Sequence, residues 1–284
     1  MSGINAFDKI LFNLAEQNGI AIGKATGEEK VEINPEDWKQ QQIDMYNKSS
    51  GNLNEFDGYN CDICHNKGFI ARLDENGYEV HRFCSCQKVR NTLRRAKRSG
   101  LGDILSDFTF DKYNALEQWQ IDLKNKAQAF CEDDAAKWFY IGGQPGCGKT
   151  HLCTAIAAHY IKRGKDVKYM LWCEDAKKLK ALVNDYAEYQ TAVNELKNID
   201  VLYIDDFFKT QHGEQPTKGD INLAFEIINH RLMNPELVTI ISSEKTLMDM
   251  LEYDEATMSR VYQHTGKYKI IIPKDLKKNY RLRE

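Results

Sequence analysis

Trp138-Phe139-Tyr140-Ile141-Gly142-Gly143-Gln144-Pro145-Gly146-Cys147-Gly148-Lys149-Thr150 reads as a buried strand running straight into a phosphate-binding loop. The first four residues are aromatic or β-branched, as in a strand covered on both faces. From Gly143 to Thr150 the chain spells G-x-x-x-x-G-K-T, and Leu152, Ile156, His159 and Tyr160 then recur at helical spacing. Strand, glycine loop and helix are the context in which this motif has meaning. Glycines let successive backbone N–H groups curl around phosphate oxygens, and the helix that follows adds the positive end of its dipole. Lys149 is the point charge for the β- and γ-phosphates, and the Thr150 hydroxyl is a ligand for Mg²⁺. The nucleotide-binding segment is therefore Gly143, Gln144, Pro145, Gly146, Cys147, Gly148, Lys149, Thr150 and His151, with ATP and Mg²⁺ as the implied cofactors.

Val201-Leu202-Tyr203-Ile204-Asp205-Asp206, about fifty residues on, is a second apolar strand, and it ends in two acids. A strand of this kind beside a phosphate loop presents its terminal carboxylate to the metal. Asp205 suits a hard cation, which prefers carboxylate oxygen. Asp206 is then the group to orient or deprotonate an attacking water. Together the two motifs predict a hydrolytic nucleotide site.

The remaining composition restricts the class. A chain of 284 residues has room for two domains, and its net charge of −3 gives no global argument for nucleic acid binding. Met1-Ser2-Gly3-Ile4-Asn5 lacks a basic region followed by an apolar one, and no apolar run reaches bilayer length. The expectation is a cytoplasmic protein with no membrane partner.

Eight cysteines divide into two groups. Cys131, Cys147, Cys153 and Cys173 are scattered, as buried free thiols are. Cys61-x-x-Cys64 and Cys84-x-Cys86 instead form two close pairs around a hairpin-sized insert, the layout of a zinc ribbon. The insert supports a hairpin, with Phe69–Arg72 and Tyr78–Phe83 flanking Asp74-Glu75-Asn76-Gly77. The tight C-x-C spacing strains ligation by both thiolates, so His81 or His65 stays open as a fourth ligand. A structural Zn²⁺ is expected here.

Along the chain, Ile4, Phe7, Ile10, Leu11 and Leu14 have amphipathic spacing. A second helix starts at Asn34-Pro35 and runs through Trp38 and Ile43 to about Asn47. Lys88–Arg98 is basic without an acid, a pattern equally suited to a solvated helix face. Ser99-Gly100-Leu101-Gly102 reads as a hinge, dividing residues 1–100, a helical and zinc-binding adaptor, from an ATPase domain at 101–284. Strands are predicted at 138–142, 167–171, 201–204, 238–242 and 268–272. Helices are predicted at 118–132, 149–162, 175–190, 218–233, 245–252 and 255–264. The fold class is α/β with a parallel sheet.

Phe108-Thr109-Phe110-Asp111, GQPGCGKT, VLYIDD, Ile240-Ile241-Ser242-Ser243-Glu244, Met258-Ser259-Arg260-Val261 and the closing Lys278-Asn279-Tyr280-Arg281-Leu282 resemble the DnaC/DnaI-type AAA+ helicase loaders, phage-encoded ones in particular. CDIC and CSCQ look like the zinc-bearing module of that group. The resemblance covers roughly residues 60 to 284. It implies an AAA+ P-loop ATPase behind a small zinc-ribbon-like N-terminal domain. The implied task is delivery of a ring-shaped replicative helicase of the DnaB type onto single-stranded DNA, with self-association through the AAA+ part. It also implies that Ser243 is the first sensor of the γ-phosphate, with Glu244 turned away, and that Arg260 is a finger reaching a neighbouring subunit's nucleotide. Arg281 is a candidate second sensor, and Asp206 stands where a glutamate is usual, which implies slow hydrolysis. Lys209, Lys218, Lys267 and Lys269 are candidate DNA contacts. An IstB-type transposition helper and a non-hydrolysing nucleotide-bound adaptor are the alternatives.

Overall fold

The computed structural model describes residues 35–102, 104–210 and 214–282. The helix expected around Ile4–Leu14 lies outside them. Two compact units emerge, one comprising residues to Ser50 with Phe69–Arg82, the other Gly51–Gly68 with Phe83 onward.

In the first unit, helix α1 (Pro35–Lys48) accompanies strand β1 (Phe69–Leu73) and most of β2 (Glu79–Phe83). Asn47 is the fastening: its amide donates to Ala71 O at 2.9 Å and accepts the Ala71 N–H at 3.0 Å. A side-chain amide thereby supplies the donor and acceptor that an adjacent strand would. The hairpin turn is built by Asp74, whose Oδ1 accepts the N–H groups of Asn76 and Tyr78 at 2.9 and 2.8 Å. Such local bonding by aspartate competes with regular structure and ends the strand.

The second unit contains a short helix α2 (Leu53–Asp57), the basic helix α3 (Cys86–Arg98), a turn α4 (Ile104–Asp107) and α5 (Gln118–Glu132). The sheet elements follow: β3 (Trp138–Gly143), α6 (Lys149–Lys162), β4 (Val167–Leu171), α7 (Trp172–Ala181), α8 (Tyr186–Asn198) and β5 (Val201–Asp205). Then come α9 (Lys218–Leu232), β6 (Val238–Ser243), α10 (Leu247–Leu251), α11 (Glu255–Thr265) and β7 (Lys269–Ile272). All five strands are parallel in the order β4-β5-β6-β3-β7. Parallel pairing demands crossovers on the faces, so both faces are covered and alternate residues feed two cores. Phe139, Ile141, Val201, Tyr203 and Ile240 pack on one side. Trp138, Tyr140, Leu202, Ile204 and Ile241 pack on the other.

Every predicted strand is present to within a residue or two. One helix is not as expected. The segment 175–190 is two helices, α7 and α8, because Asp185 caps the second, its carboxylate accepting the Glu188 N–H at 3.1 Å. A side chain that satisfies a helix N-terminus starts a new helix there. Nor is Ser99–Gly102 a free hinge. Ser99 and Leu101 are buried, and the Ser99 carbonyl accepts the N–H of Tyr169 on β4 at 2.7 Å. Arg231, wholly buried, bonds Thr239 Oγ1 and the carbonyls of Leu196, Ile199 and Val238, tying α9 to its neighbours. Burial lowers its pKa to about 9, and the Asp200 carboxylate opposes that only in part. Among the described residues no helix is long and apolar enough to cross a membrane.

Candidate functional site

The phosphate loop leaves the end of β3 and enters α6 at Lys149. Gly143, Gly146 and Gly148 all have positive φ, at 110°, 72° and 89°. At Gly146 the need for glycine is doubled, since a Cβ would lie 2.0 Å from Asn279 Oδ1. Lys149 is buried along its length, with Nζ 3.0 and 2.8 Å from the carbonyls of Gly143 and Gln144. An ammonium held over the loop's own backbone is placed for the phosphates that the loop would cradle.

Asp205 closes the other side. Its Oδ1 accepts from the hydroxyls of Thr150 (3.3 Å) and Ser242 and from the Asp206 N–H (3.1 Å); its Oδ2 accepts from Tyr169 OH at 3.1 Å. Four donors from four places in the chain fix one buried carboxylate. Two ligands at right angles on Mg²⁺ lie about 2.9 Å apart, so Thr150 and Asp205 stand close to the spacing that this ion requires. Tyr169 and Ser242 carry no motif signal and were missed in the sequence; Ser242 faces Asp205 because β5 and β6 run side by side in register, Ile204 opposite Ile241.

The expected sensor is corrected by the same strand. Ser243 is fully buried, its hydroxyl donating to Phe207 O at 2.7 Å and accepting the Lys245 N–H at 3.0 Å. Neighbouring residues of a strand face opposite ways, so Ser243 turns from the face that Ser242 offers to Asp205. Glu244 does not turn away either. It lines the nucleotide cavity together with Asp206 and Lys209. Lys209 bridges the two acids, with Nζ 2.9 Å from Asp206 Oδ2 and 2.9 Å from Glu244 Oε1. Burial opposes the Lys209 charge, but the bonds to Asp206 and Glu244 outweigh it and raise the pKa.

The cavity measures about 370 Å³ and lies between the loop, Phe108–Asn114 and the C-terminal tail. His151 stacks on Phe108 at 4.9 Å, stands edge-on to Tyr113, and donates from Nε2 to Thr109 O at 2.7 Å. Burial lowers its pKa and so disfavours the charged ring, against the bond to Thr109 O, which favours it. The tail is fastened to the loop, Tyr280 N–H donating to Gly146 O at 2.9 Å and Asp275 N–H to Gln144 Oε1 at 2.8 Å. Arg281 reaches the cavity. Arg260 is placed elsewhere, exposed on α11 with its guanidinium on Asn229 Oδ1 at 2.8 Å. Of the other candidate DNA contacts, Lys267 is engaged by Asp133 and Lys269 sits over the Tyr262 ring.

Cys61, Cys64, Cys84 and Cys86 come together with all four sulfurs within 4.8 Å of one another. Cys61 to Cys84 is 3.8 Å and Cys64 to Cys86 is 3.6 Å. A tetrahedron of thiolates around zinc, with Zn–S near 2.3 Å, has edges of about 3.8 Å, so the donor set and its size fit that ion. The C-x-C spacing proves no obstacle: Ser85 takes helical φ and ψ of −55° and −25°, Cys86 opens α3, and both thiols of the pair join the cluster. His81 is not needed; it pairs with Glu79 at 2.8 Å and stands edge-on to Tyr46. His65 and Asn66 take positive φ, at 47° and 66°, tightening the first turn, and Gly68 N–H donates to Cys64 Sγ at 3.2 Å. Burial works to raise the Cys64 thiol, yet the Gly68 N–H and its sister thiols bring it down to about 7. Burial drives Cys86 up to about 12. Arg90, wholly buried behind the cluster, is held by Asp57 at 2.5 Å and Asn66 at 3.0 Å.

Comparison with known proteins agrees with this architecture. Residues 67–260 match the family described as IstB-like ATP binding protein. The phage-like element PBSX protein XkdC of Bacillus subtilis (strain 168) is 30% identical over 226 residues, covering 75% of this chain and 82% of XkdC. The replicative helicase loader DnaC of Escherichia coli (strain K12) is 29% identical over 116 residues, 40% of this chain and 47% of DnaC. A crystal structure of the DnaC helicase loader superposes with a TM-score of 0.50 at 20% identity, covering 61% of this chain and all of that one, a likeness of fold. A phosphate loop, a four-donor aspartate and a five-stranded parallel sheet, matched over most of the chain, place this protein in the family of IstB-like ATP binding proteins.

Proposed function

We propose that the chain is an ATPase that delivers a ring-shaped replicative helicase of the DnaB type onto single-stranded DNA. The carrying observation is the union in one chain of a four-thiol cluster with an AAA+ nucleotide cavity, together with relatives that include a replicative helicase loader. In this reading residues 1–100 carry the grip on the helicase and 101–284 the ATPase, a division of labour and not of compact units, since the cysteine cluster belongs to the same unit as the sheet. Cys61, Cys64, Cys84 and Cys86 hold Zn²⁺, which supplies cross-linking to a segment with little core of its own.

At the nucleotide, Lys149 and the loop N–H groups bind phosphate, and Thr150 and Asp205 hold Mg²⁺. Asp206 lines the cavity and takes the proton of the attacking water. Its shorter reach and its pairing with Lys209 favour slow turnover that rises on assembly. Arg260 lies away from its own chain's cavity, so its use as a finger requires a neighbouring subunit. That makes ATP, single-stranded DNA and further copies of this chain the partners besides the helicase.

The test is co-expression with a DnaB-type helicase, followed by ATP-dependent co-purification and transfer of the helicase to circular single-stranded DNA. Neither complex nor transfer would overturn the loader reading. The family match itself favours a second reading, an IstB-type transposition helper; retention of a transposase in place of the helicase would select it.

A further inference from the structure

The resemblance assigns γ-phosphate sensing to Ser243, whereas the wall of the cavity holds Lys209 and not that serine. Ser243 spends its hydroxyl on Phe207 O and Lys245 N, so it has no donor left for a phosphate. Lys209 comes from the loop after β5, and its position there is built in. Asp206 and Phe208 take left-handed φ of 53° and 55°, and Phe207 and Phe208 are buried against Trp172 at ring separations of 4.8 and 5.4 Å. The backbone N–H of Lys209 returns to Asp206 O at 2.9 Å. The turn therefore anchors its apolar residues in the core and directs the next side chain back over the cavity, where it lines the wall with Lys149, Thr150 and Arg281.

An ammonium carries three N–H donors. Asp206 Oδ2 and Glu244 Oε1 take two, each at 2.9 Å, and the third remains for an anionic oxygen in the cavity. Two acids facing a triphosphate would repel it, and the lysine between them offsets part of that repulsion.

We propose that Lys209 is the γ-phosphate-sensing residue of this chain. It makes the site prefer a nucleoside triphosphate over a diphosphate and links the terminal phosphate to Asp206. This rests on reading the cavity as an ATP site. The reaction it serves is water attack on the γ-phosphorus, with the water's proton passing to Asp206 and ADP leaving.

The test compares wild type, Lys209→Met and Lys209→Arg, titrated with fluorescent ATP and ADP analogues and followed for hydrolysis. Methionine keeps the alkyl stem and loses the charge. Lys209→Met is expected to weaken ATP binding tenfold or more while ADP binding changes less than twofold. Lys209→Arg keeps most of the preference, and adding Glu244→Gln to Lys209→Met recovers part of it, since one of the repelling charges is gone. A purely structural lysine predicts equal losses for both nucleotides and a lower melting temperature. An unchanged ATP-to-ADP ratio in folded Lys209→Met overturns the proposal. Failure of wild type to bind ATP at all would instead overturn the ATP-site reading beneath it.

Discussion

Lys149 and Asp206 divide the labour at the site, and their substitutions should separate binding from turnover. Removing one partner of a desolvated charge pair costs about 2–5 kcal/mol, so Lys149→Ala should bind ATP tens of times more weakly or worse in an equilibrium titration. Asp206→Asn should keep its affinity and lose hydrolysis; wild-type turnover in that variant would remove Asp206 from the mechanism. Gly146 tests the tail. Its φ of 72° and the Asn279 amide oxygen 2.0 Å from a would-be Cβ mean that alanine must push the Asn279 side chain out of its place against the loop. The left-handed backbone alone costs about 1–3 kcal/mol. Gly146→Ala should therefore expose Tyr280 to proteolysis or quenching and weaken nucleotide binding. Retention of both properties would mean that the tail is not coupled to the loop.

Helix α9 and the cysteine module show how single elements are held. Thr217 and Asp220 form a capping box, with Thr217 Oγ1 accepting the Asp220 N–H at 3.2 Å and Asp220 Oδ2 accepting the Thr217 N–H at 2.9 Å. Asp220 also pairs with Lys180 at 2.6 Å. Burial alone would raise the Asp220 carboxyl, but Lys180 and Thr217 outweigh it and hold it below its ordinary 3.8. A depressed folded pKa stabilises fully above the unfolded value, and the gain is lost as pH falls through the folded value. Asp220→Asn should thus lower stability by about 1 kcal/mol near pH 7, and its stability should converge on that of wild type as the pH falls through the depressed folded value. A constant gap across that range would place the effect in packing instead. For the cysteine module, chelation should release one zinc per chain and unfold the segment around α3, while nucleotide binding persists. Four thiols that titrate freely in the untreated protein would exclude a bound metal.

At the scale of the whole molecule, the nucleotide cavity of one chain contains Lys149, Thr150, Asp206 and Lys209 but not Arg260. A finger that acts across subunits predicts Arg260→Ala with near-normal ATP affinity and a turnover loss on the order of a thousandfold. Mixing Arg260→Ala with Asp206→Asn should restore part of the activity, because some interfaces then join an intact finger to an intact Asp206. Head-to-tail contacts of this type build rings or open helices, so wild-type specific activity should rise with protein concentration. Full activity of Arg260→Ala, with no concentration dependence, would leave the arginine as a tie between α11 and α9 through Asn229.

The sequence by itself determined the strand, loop and helix of the phosphate site, the acid pair at the end of β5, the five strands and the four grouped cysteines. Each is a local pattern, set by spacing and residue type over a few neighbouring positions. Tertiary structure alone decided which side chains meet. It chose Ser242 over Ser243 through the pleat of β6, and it turned Glu244 into the cavity. It brought Lys209 back from a loop after β5, and laid Tyr280 against Gly146 across more than a hundred residues. It also gathered the four cysteine sulfurs to within 4.8 Å of one another, with Cys86 at the start of α3. These are contacts between segments distant in sequence, fixed by strand register and packing, which no local pattern contains.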